Sequence, residues 1–179
     1  MADLSRIVKA YDVRGVVPEE FDVATARALG SAFARYVGSD AIVVGRDMRP
    51  SGPEFVDAFA EGAQDAGVNI IDLGLVSTDL LYFASGRLDL PGAVFTALHN
   101  PAQYNGIKFC QAGARPVGID SGLADIRDAA QAMLDGDVPE AVAERGQREQ
   151  RDMLDAFVDH VMSFVDISAL KPMRVVADT

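Results

Sequence analysis

The residues best suited to chemistry lie in one short segment, residues 96–108. It reads Thr-Ala-Leu-His-Asn-Pro-Ala-Gln-Tyr-Asn-Gly-Ile-Lys. Histidine, asparagine and lysine side chains can all contact an anion, so the pattern is compatible with phosphoryl-transfer chemistry. Leu98 stands directly before the histidine, and its hydrocarbon side chain cannot accept, hold or return a phosphoryl group. A plain turn between two strands is the alternative interpretation of the His-Asn-Pro tripeptide alone.

The whole segment resembles the phosphoserine loop of the α-D-phosphohexomutases, the family of phosphomannomutase and phosphoglucomutase, whose motif reads TASHNP. The resemblance implies a phosphorylated serine that gives its phosphoryl group to a hexose monophosphate and recovers another from the bisphosphate. It assigns catalytic roles to the position of Leu98, to His99 and to Lys108, and phosphate contact to Asn100. Lys108 would balance phosphate charge, and it would assist proton transfer if its pKa were lowered.

Leu98 departs from the family motif at the position that forms the covalent intermediate. Three hydroxyls lie nearby in sequence, those of Thr96, Ser77 and Thr78. Misplacing a reacting group by about 1 Å can cost about a hundredfold in rate, so we do not expect a neighbour to replace the serine. Three interpretations stay open: an inactivated variant, a natural non-catalytic relative, or a sequence error.

A second segment, residues 8–15, reads Val-Lys-Ala-Tyr-Asp-Val-Arg-Gly. It is similar to the family's F-[KR]-A-Y-D-I-R-G, which lines the active cleft. The match implies a catalytic arginine at Arg14 and a substrate contact at Tyr11, and a guanidinium suits bidentate phosphate binding. Taken alone, an Arg-Gly pair after a short strand is more often only a turn.

A third segment, residues 44–52, resembles the family's VGRDxRxSG. A strand end that leads two arginines to a helix N-terminus favours anions, so Arg46 and Arg49 are predicted phosphate ligands. A capped turn with solvated arginines is about equally consistent for each of them. Residues 74–78 are close to the family's G-x-x-x-T-P turn, with Asp79 in place of the proline, and a structural role is predicted for them.

The sequence contains no complete metal-binding motif. Residues 135–137, Asp-Gly-Asp, faintly resemble the family's magnesium loop D-G-D-x-D-R, but Val-Pro-Glu follows, so a solvated acidic loop is predicted. The resemblance implies Mg²⁺ in the full-length family enzyme, with residue 98 contributing if it were serine, and none bound by this chain alone. The two histidines lie far apart and offer no zinc site. His160 is predicted to be a half-buried packing residue.

Composition narrows the possible partners. A formal charge of −11 argues against nucleic acid, because phosphate backbones are bound by Lys and Arg. Two of the three lysines, Lys9 and Lys108, fall in the matched segments, which suits a hexose phosphate substrate. One cysteine and no apolar run of membrane-spanning length predict a cytoplasmic protein without membrane contact. Nucleotide-binding fingerprints are absent from the sequence.

The order of elements predicts an α/β fold, a three-layer α/β/α domain with a mixed, mostly parallel sheet. Apolar strands alternate with amphipathic helices, of which the first runs over residues 23–37 after Asp22 as N-cap. Ser51 and Glu54 have the spacing of a capping box for the next helix. Only nine residues join the strands 92–96 and 106–110, so that pair is predicted to be antiparallel.

The predicted domain boundary lies at residue 147. Residues 1–147 form phosphohexomutase domain I, and residues 148–179 form a linker helix (148–165) and the first strand (173–178) of a truncated second domain. The chain is therefore predicted to be an N-terminal fragment, inactive alone, that self-associates through the surface facing domain II. A non-catalytic module that binds a sugar phosphate or a protein is the competing hypothesis, and the sequence leaves mannose and glucose undecided.

Overall fold

The protein alternates strands and helices along most of its length. A computed structural model describes residues 3–178, apart from the side chain of Ile167. Its helices and strands, in chain order, are α1 Leu4–Ile7, β1 Val13–Val16, α2 Val23–Val37, β2 Ala41–Arg46, α3 Gly52–Asp65, β3 Asn69–Leu75, α4 Thr78–Leu88, β4 Gly92–Phe95, β5 Tyr104–Gln111, β6 Arg115–Pro116, α5 Leu123–Leu134, β7 Arg148–Gln150 and α6 Leu154–Met162. The α/β class is confirmed.

One mixed sheet joins all seven strands in the order β1-β5-β4-β2-β3-β7, with β6 beside β5. β4, β2, β3 and β7 pair in parallel. β5 runs antiparallel to β4, β1 and β6. The antiparallel β4–β5 pair is confirmed, because the connection between them is too short for a parallel crossover. Among the described residues the strand pairs divide evenly, so the sheet is mixed but not mostly parallel as predicted.

Successive side chains of a strand point to opposite faces of the sheet, so the buried apolar residues form two cores, one on each face. On one face Ile42, Phe95 and Phe109 pack under α2, α3 and α5. On the other face Val43, Val94 and Cys110 pack under α4, with part of α6 beside them. Helices on both faces make the predicted three layers.

The ends of the helices test the capping predictions. Asp22 Oδ1 accepts the N–H of Thr25 at 2.8 Å, so the N-cap of α2 is confirmed. The capping box at Ser51 is wrong, because Ser51 makes no side-chain cap bond. Its Oγ instead accepts a hydrogen bond from Asn105 Nδ2 at 2.8 Å, which ties the start of α3 to β5.

α2 and α3 cross with their backbones in close contact. A Cβ atom on Gly30 would lie 2.1 Å from the carbonyl oxygen of Phe59, and one on Gly62 would lie 2.1 Å from that of Arg27. Only glycine permits this approach. The crossing fixes the position of α3, whose N-terminus follows the turn that carries Arg49.

The C-terminal segment differs from the prediction. Residues 148–150 form β7 beside β3, because their backbone pairs with that strand, and α6 spans only Leu154–Met162. Residues 173–178 form no strand, since none of the described residues pairs with them. His160 is exposed rather than half-buried, with its ring 4.9 Å from that of Phe83. Whether a second domain begins in this segment stays a prediction.

Candidate functional site

Two cations from separate segments meet at one buried carboxylate. Arg14 Nη2 lies 2.6 Å from Asp12 Oδ2, and Lys108 Nζ lies 3.6 Å from the same oxygen. The Asp12 side chain is 9% exposed, whereas those of Arg14 and Lys108 are 33% and 19% exposed. One carboxylate against two cations leaves a local positive charge in a protein whose formal charge is −11. We call Arg14 and Lys108 the cation pair.

Strand register explains why these residues meet. β1 and β5 are antiparallel with Val13 opposite Ile107 and Arg14 opposite Gly106. Residues two apart share a face, so Asp12 and Arg14 project from the face that also carries Lys108. The close pairing requires Gly106, where a Cβ atom would lie 2.0 Å from the carbonyl oxygen of Val13.

The loop of residues 96–103 begins beside Gly106, at the level of the sheet where β5 pairs with Arg14. Thr96 N–H donates to Gly106 O at 3.0 Å, and Gly106 pairs with Arg14 on its other side. Neighbouring strands lie about 4.8 Å apart, so the start of the loop lies roughly 10 Å from the Arg14 backbone. The fold therefore brings loop 96–103 and the cation pair to one edge of the sheet.

Leu98 lies at the exposed turn of this loop. Its φ of 52° is left-handed, and it is 44% exposed. Its N–H donates to Thr96 Oγ1 at 3.0 Å, while Asn100 Nδ2 donates to Ala97 O at 2.7 Å. Asn100 therefore closes the turn with its own side chain. His99 is exposed beside Leu98 and forms no hydrogen bond or ion pair with the described residues.

Arg49 lies beneath the loop and is 8% exposed. Its guanidinium donates to three loop carbonyls, to the first carbonyl of β5 and to one carboxylate, those of Leu98, Asn100, Pro101, Tyr104 and Asp47. A guanidinium has five N–H donors, so none is left for a phosphate. The geometry therefore makes Arg49 a residue that holds the loop, and it argues against the predicted phosphate contact.

Arg46 and Tyr11 are less engaged. Arg46 follows Gly45 at the end of β2 and lies against α3, since its Cδ is 3.1 Å from the position of a Cβ atom on Gly52. The one hydrogen bond that its side chain forms with the described residues runs from Nη1 to Asp47 O at 3.3 Å. Tyr11 is 76% exposed in the turn before β1. Substrate contact by either residue stays a prediction.

Sequence reasoning missed two parts of the site. Asp12 was not named as a site residue, although its spacing two residues before Arg14 puts both on one face of an extended strand. Nothing in the local sequence distinguishes Arg49 from Arg46, because the carbonyls that Arg49 binds come from a loop about fifty residues later.

Metal-binding geometry is not found in residues 3–178. No group of three or more His, Cys, Asp or Glu side chains there could hold an ion. Residues 135–137 are exposed after α5, as predicted for a solvated acidic loop. The Leu98 side chain offers no oxygen ligand, so the described residues around it do not fit a Mg²⁺ site. No helix within the described part of the chain is long and apolar enough to cross a membrane.

Residues 5–133 match the family model for phosphoglucomutase/phosphomannomutase, alpha/beta/alpha domain I. A phosphomannomutase of Salmonella montevideo is 38% identical over 173 residues, which are 96% of this chain and 37% of that protein. A phosphohexose mutase of Xanthomonas campestris pv. campestris is 37% identical over 171 residues, again covering 37% of its length. This chain therefore spans little more than a third of such relatives.

Solved structures give the same result. A phosphoglucomutase/phosphomannomutase family protein from Burkholderia thailandensis superposes with a TM-score of 0.76 at 36% identity, over 91% of this chain and 36% of that one. A crystal structure described as a putative phosphomannomutase from Thermus thermophilus gives 0.77 at 31% identity, over 94% and 38%.

Proposed function

Because this chain belongs to the phosphoglucomutase/phosphomannomutase family, we propose that it acts in the interconversion of hexose 1-phosphates and hexose 6-phosphates. Its part is to bind the phosphate group beside loop 96–103. The activity of the whole protein is part of this proposal, since the chain covers 37% of the length of its mutase relatives.

The cation pair is the observation that supports this proposal. Asp12 holds Arg14 and Lys108 on one face of the sheet. This face lies near the end of β4, where the loop begins. A phosphate dianion that displaces solvent there meets two positive charges that are already positioned. His99, exposed on the loop, adds a further donor.

We also propose that this site does not form a covalent phosphoenzyme. Leu98 has no nucleophile, and two of the three neighbouring hydroxyls, those of Thr96 and Ser77, are engaged elsewhere. Thr96 Oγ1 is the acceptor of the Leu98 N–H in a residue only 7% exposed. Ser77 Oγ accepts the N–H of Leu80 at the start of α4. The chain as it stands would bind phosphate without receiving it.

The test uses the full-length protein from the source gene, with residue 98 as Leu, Ser or Ala. Each protein is incubated with hexose 1,6-bisphosphate and weighed intact, and mannose 6-phosphate isomerisation is followed. We expect Leu98→Ser to gain one phosphoryl group and to isomerise, while the natural protein and the Leu98→Ala control do neither. If Leu98→Ser never carries a phosphoryl group and never isomerises the sugar, the proposal is wrong.

A non-catalytic sugar-phosphate or protein-binding module is the second candidate, and Leu98 is the observation that favours it. The DNA after codon 179 separates the two candidates. An open frame encoding D-G-D-x-D-R supports an enzyme with its metal loop in a later domain, and a stop codon supports the module. Mg²⁺ is proposed only for such a longer protein.

Self-association of the isolated chain is a further part of the proposal. α6 and the segment after it carry exposed apolar side chains, including Val158, Phe164 and Val176. Without a covering domain, a second copy of the chain is the occupant we propose. Equilibrium sedimentation should show a concentration-dependent mass, and a monomer over a wide concentration range would contradict it.

A further inference from the structure

We propose that Arg49 is a positioning residue that fixes residue 98 in the left-handed conformation, with its carbonyl turned inward and its side chain turned outward. This inference rests on the proposed function in one respect only: the outward side chain of residue 98 would face a phosphate bound by the cation pair. The conformation itself is a property of this chain and can be measured without a ligand.

The contacts of Arg49 begin at residue 98 itself and continue on its C-terminal side. Nη2 donates to the carbonyls of Leu98 at 2.9 Å and Asn100 at 2.8 Å. Nη1 donates to the carbonyls of Pro101 and Tyr104, both at 2.8 Å. A single planar group therefore sets the direction of three carbonyls of the loop, whose residues 101–103 are exposed, and of the first carbonyl of β5.

Asp47 anchors the arginine to the sheet. Its Oδ2 accepts from Arg49 Nε at 3.2 Å, and its Oδ1 accepts the Arg49 N–H at 3.0 Å. Asp47 N–H in turn donates to Phe95 O, at the end of β4, at 2.9 Å. The position of the guanidinium is thus fixed by the same strand that leads into the loop, and its charge is balanced by one carboxylate.

The conformation at residue 98 needs such support. A leucine at positive φ is strained, because its Cβ approaches the following carbonyl oxygen. Leu98 nevertheless adopts a φ of 52°. Hydrogen bonds from a charged donor are stronger than neutral ones. Those to the carbonyls of Leu98 and Asn100 hold the strained residue in place.

Lysine cannot replace Arg49 in this role. An ammonium is a compact charge with three donors, so it cannot reach four carbonyls and Asp47 at once. Arg49→Lys keeps the charge and removes the planar fork, which separates positioning from simple electrostatics. Arg27→Lys is the matched control, because Arg27 forms ion pairs with Glu61 and Asp65 on α3, away from the loop.

The experiment compares backbone chemical shifts of the natural chain, Arg49→Lys, Arg27→Lys and the double variant Arg49→Lys with Leu98→Gly. We expect the left-handed signature at residue 98 in the natural chain and in Arg27→Lys, and its loss in Arg49→Lys with the strand signals unchanged. Glycine adopts positive φ without strain, so the double variant should recover the signature.

Inorganic phosphate then serves as the binding probe, titrated against the His99 and Gly106 signals. Arg49→Lys should weaken its binding by about tenfold, equivalent to about 1.4 kcal/mol, and the double variant should recover most of that loss. A left-handed residue 98 that persists in Arg49→Lys overturns the proposal, as does loss of the strand signals or no recovery by glycine. Failure of the natural chain to bind phosphate contradicts the proposed function instead, and the shifts still decide the role of Arg49.

Discussion

Arg148 connects three elements at the edge of the sheet, and its replacement gives a sharp test of the fold. Its Nη2 lies 2.8 Å from Asp72 Oδ2 in β3, and its Nη1 lies 2.7 Å from Asp57 Oδ1 in α3. Burial acts to lower the pKa of Arg148, but the hydrogen bonds that it donates to Asp72 and Asp57 raise that pKa overall, so the side chain stays charged. We expect Arg148→Met to destabilise the protein by about 2 kcal/mol.

The two carboxylates that Arg148 contacts contribute unequally to this expected loss of stability. The Asp72 side chain is 7% exposed and, without Arg148, keeps only the Gly74 N–H as a partner among the described residues. Breaking a fully buried pair costs about 3–5 kcal/mol, and because Arg148 is 31% exposed we reduce this to about 2 kcal/mol. Asp57 is 62% exposed, so Asp57→Asn, the matched control, should cost about 0.5 kcal/mol or less.

Urea unfolding of the natural chain and both variants measures the difference. For a chain of this length, 2 kcal/mol corresponds to a fall in melting temperature of about 4–8 °C. Hydrogen exchange should also quicken at Ile70, whose N–H donates to Gln147 O at 2.7 Å just before β7. Equal costs for Arg148→Met and Asp57→Asn would refute the reasoning, since the buried partner would then contribute nothing.

Three further predictions concern stability. Cys110 is buried and its thiol pKa is raised by that burial, so the unfolded chain ionises first. The free energy of unfolding of the natural chain, measured relative to that of Cys110→Ala, should therefore be constant below about pH 8.5 and fall above it. A difference in urea midpoints between the two proteins that stays constant up to pH 10 would contradict this. Gly30→Ala should cost about 3 kcal/mol in urea unfolding, because its Cβ would meet the Phe59 carbonyl at 2.1 Å. The control Gly86→Ala, in α4 with nothing nearer than 3.9 Å, should stabilise by about 0.5 kcal/mol, and similar effects for both glycines would rule out the clash. Asp22→Ala should cost about 1 kcal/mol by removing the N-cap of α2, measured by thermal melting, and an unchanged melting temperature would refute the cap.

Much of the fold could be predicted because its signals are local. The apolar spacing of α2 and the cap at Asp22 lie within a few residues of each other, and both are confirmed. The prediction for residues 148–165 failed for the opposite reason. Residues 148–150 become a strand only because β3 offers its edge, and no local pattern reports a partner that far away.

The sequence by itself determined the family, the α/β class and the absence of a hydroxyl at residue 98, because each of these depends on residue identity and short-range order. Tertiary structure alone decided what the charged residues do. Arg46 ends β2 and Arg49 follows it by three residues, yet only Arg49 meets the loop carbonyls, since the return of the chain into β5 brings them to it. Asp12 likewise joins Arg14 to Lys108 only after β1 has paired with β5. The direction of a side chain depends on which strand lies beside it, and that is settled by pairing over the whole sheet.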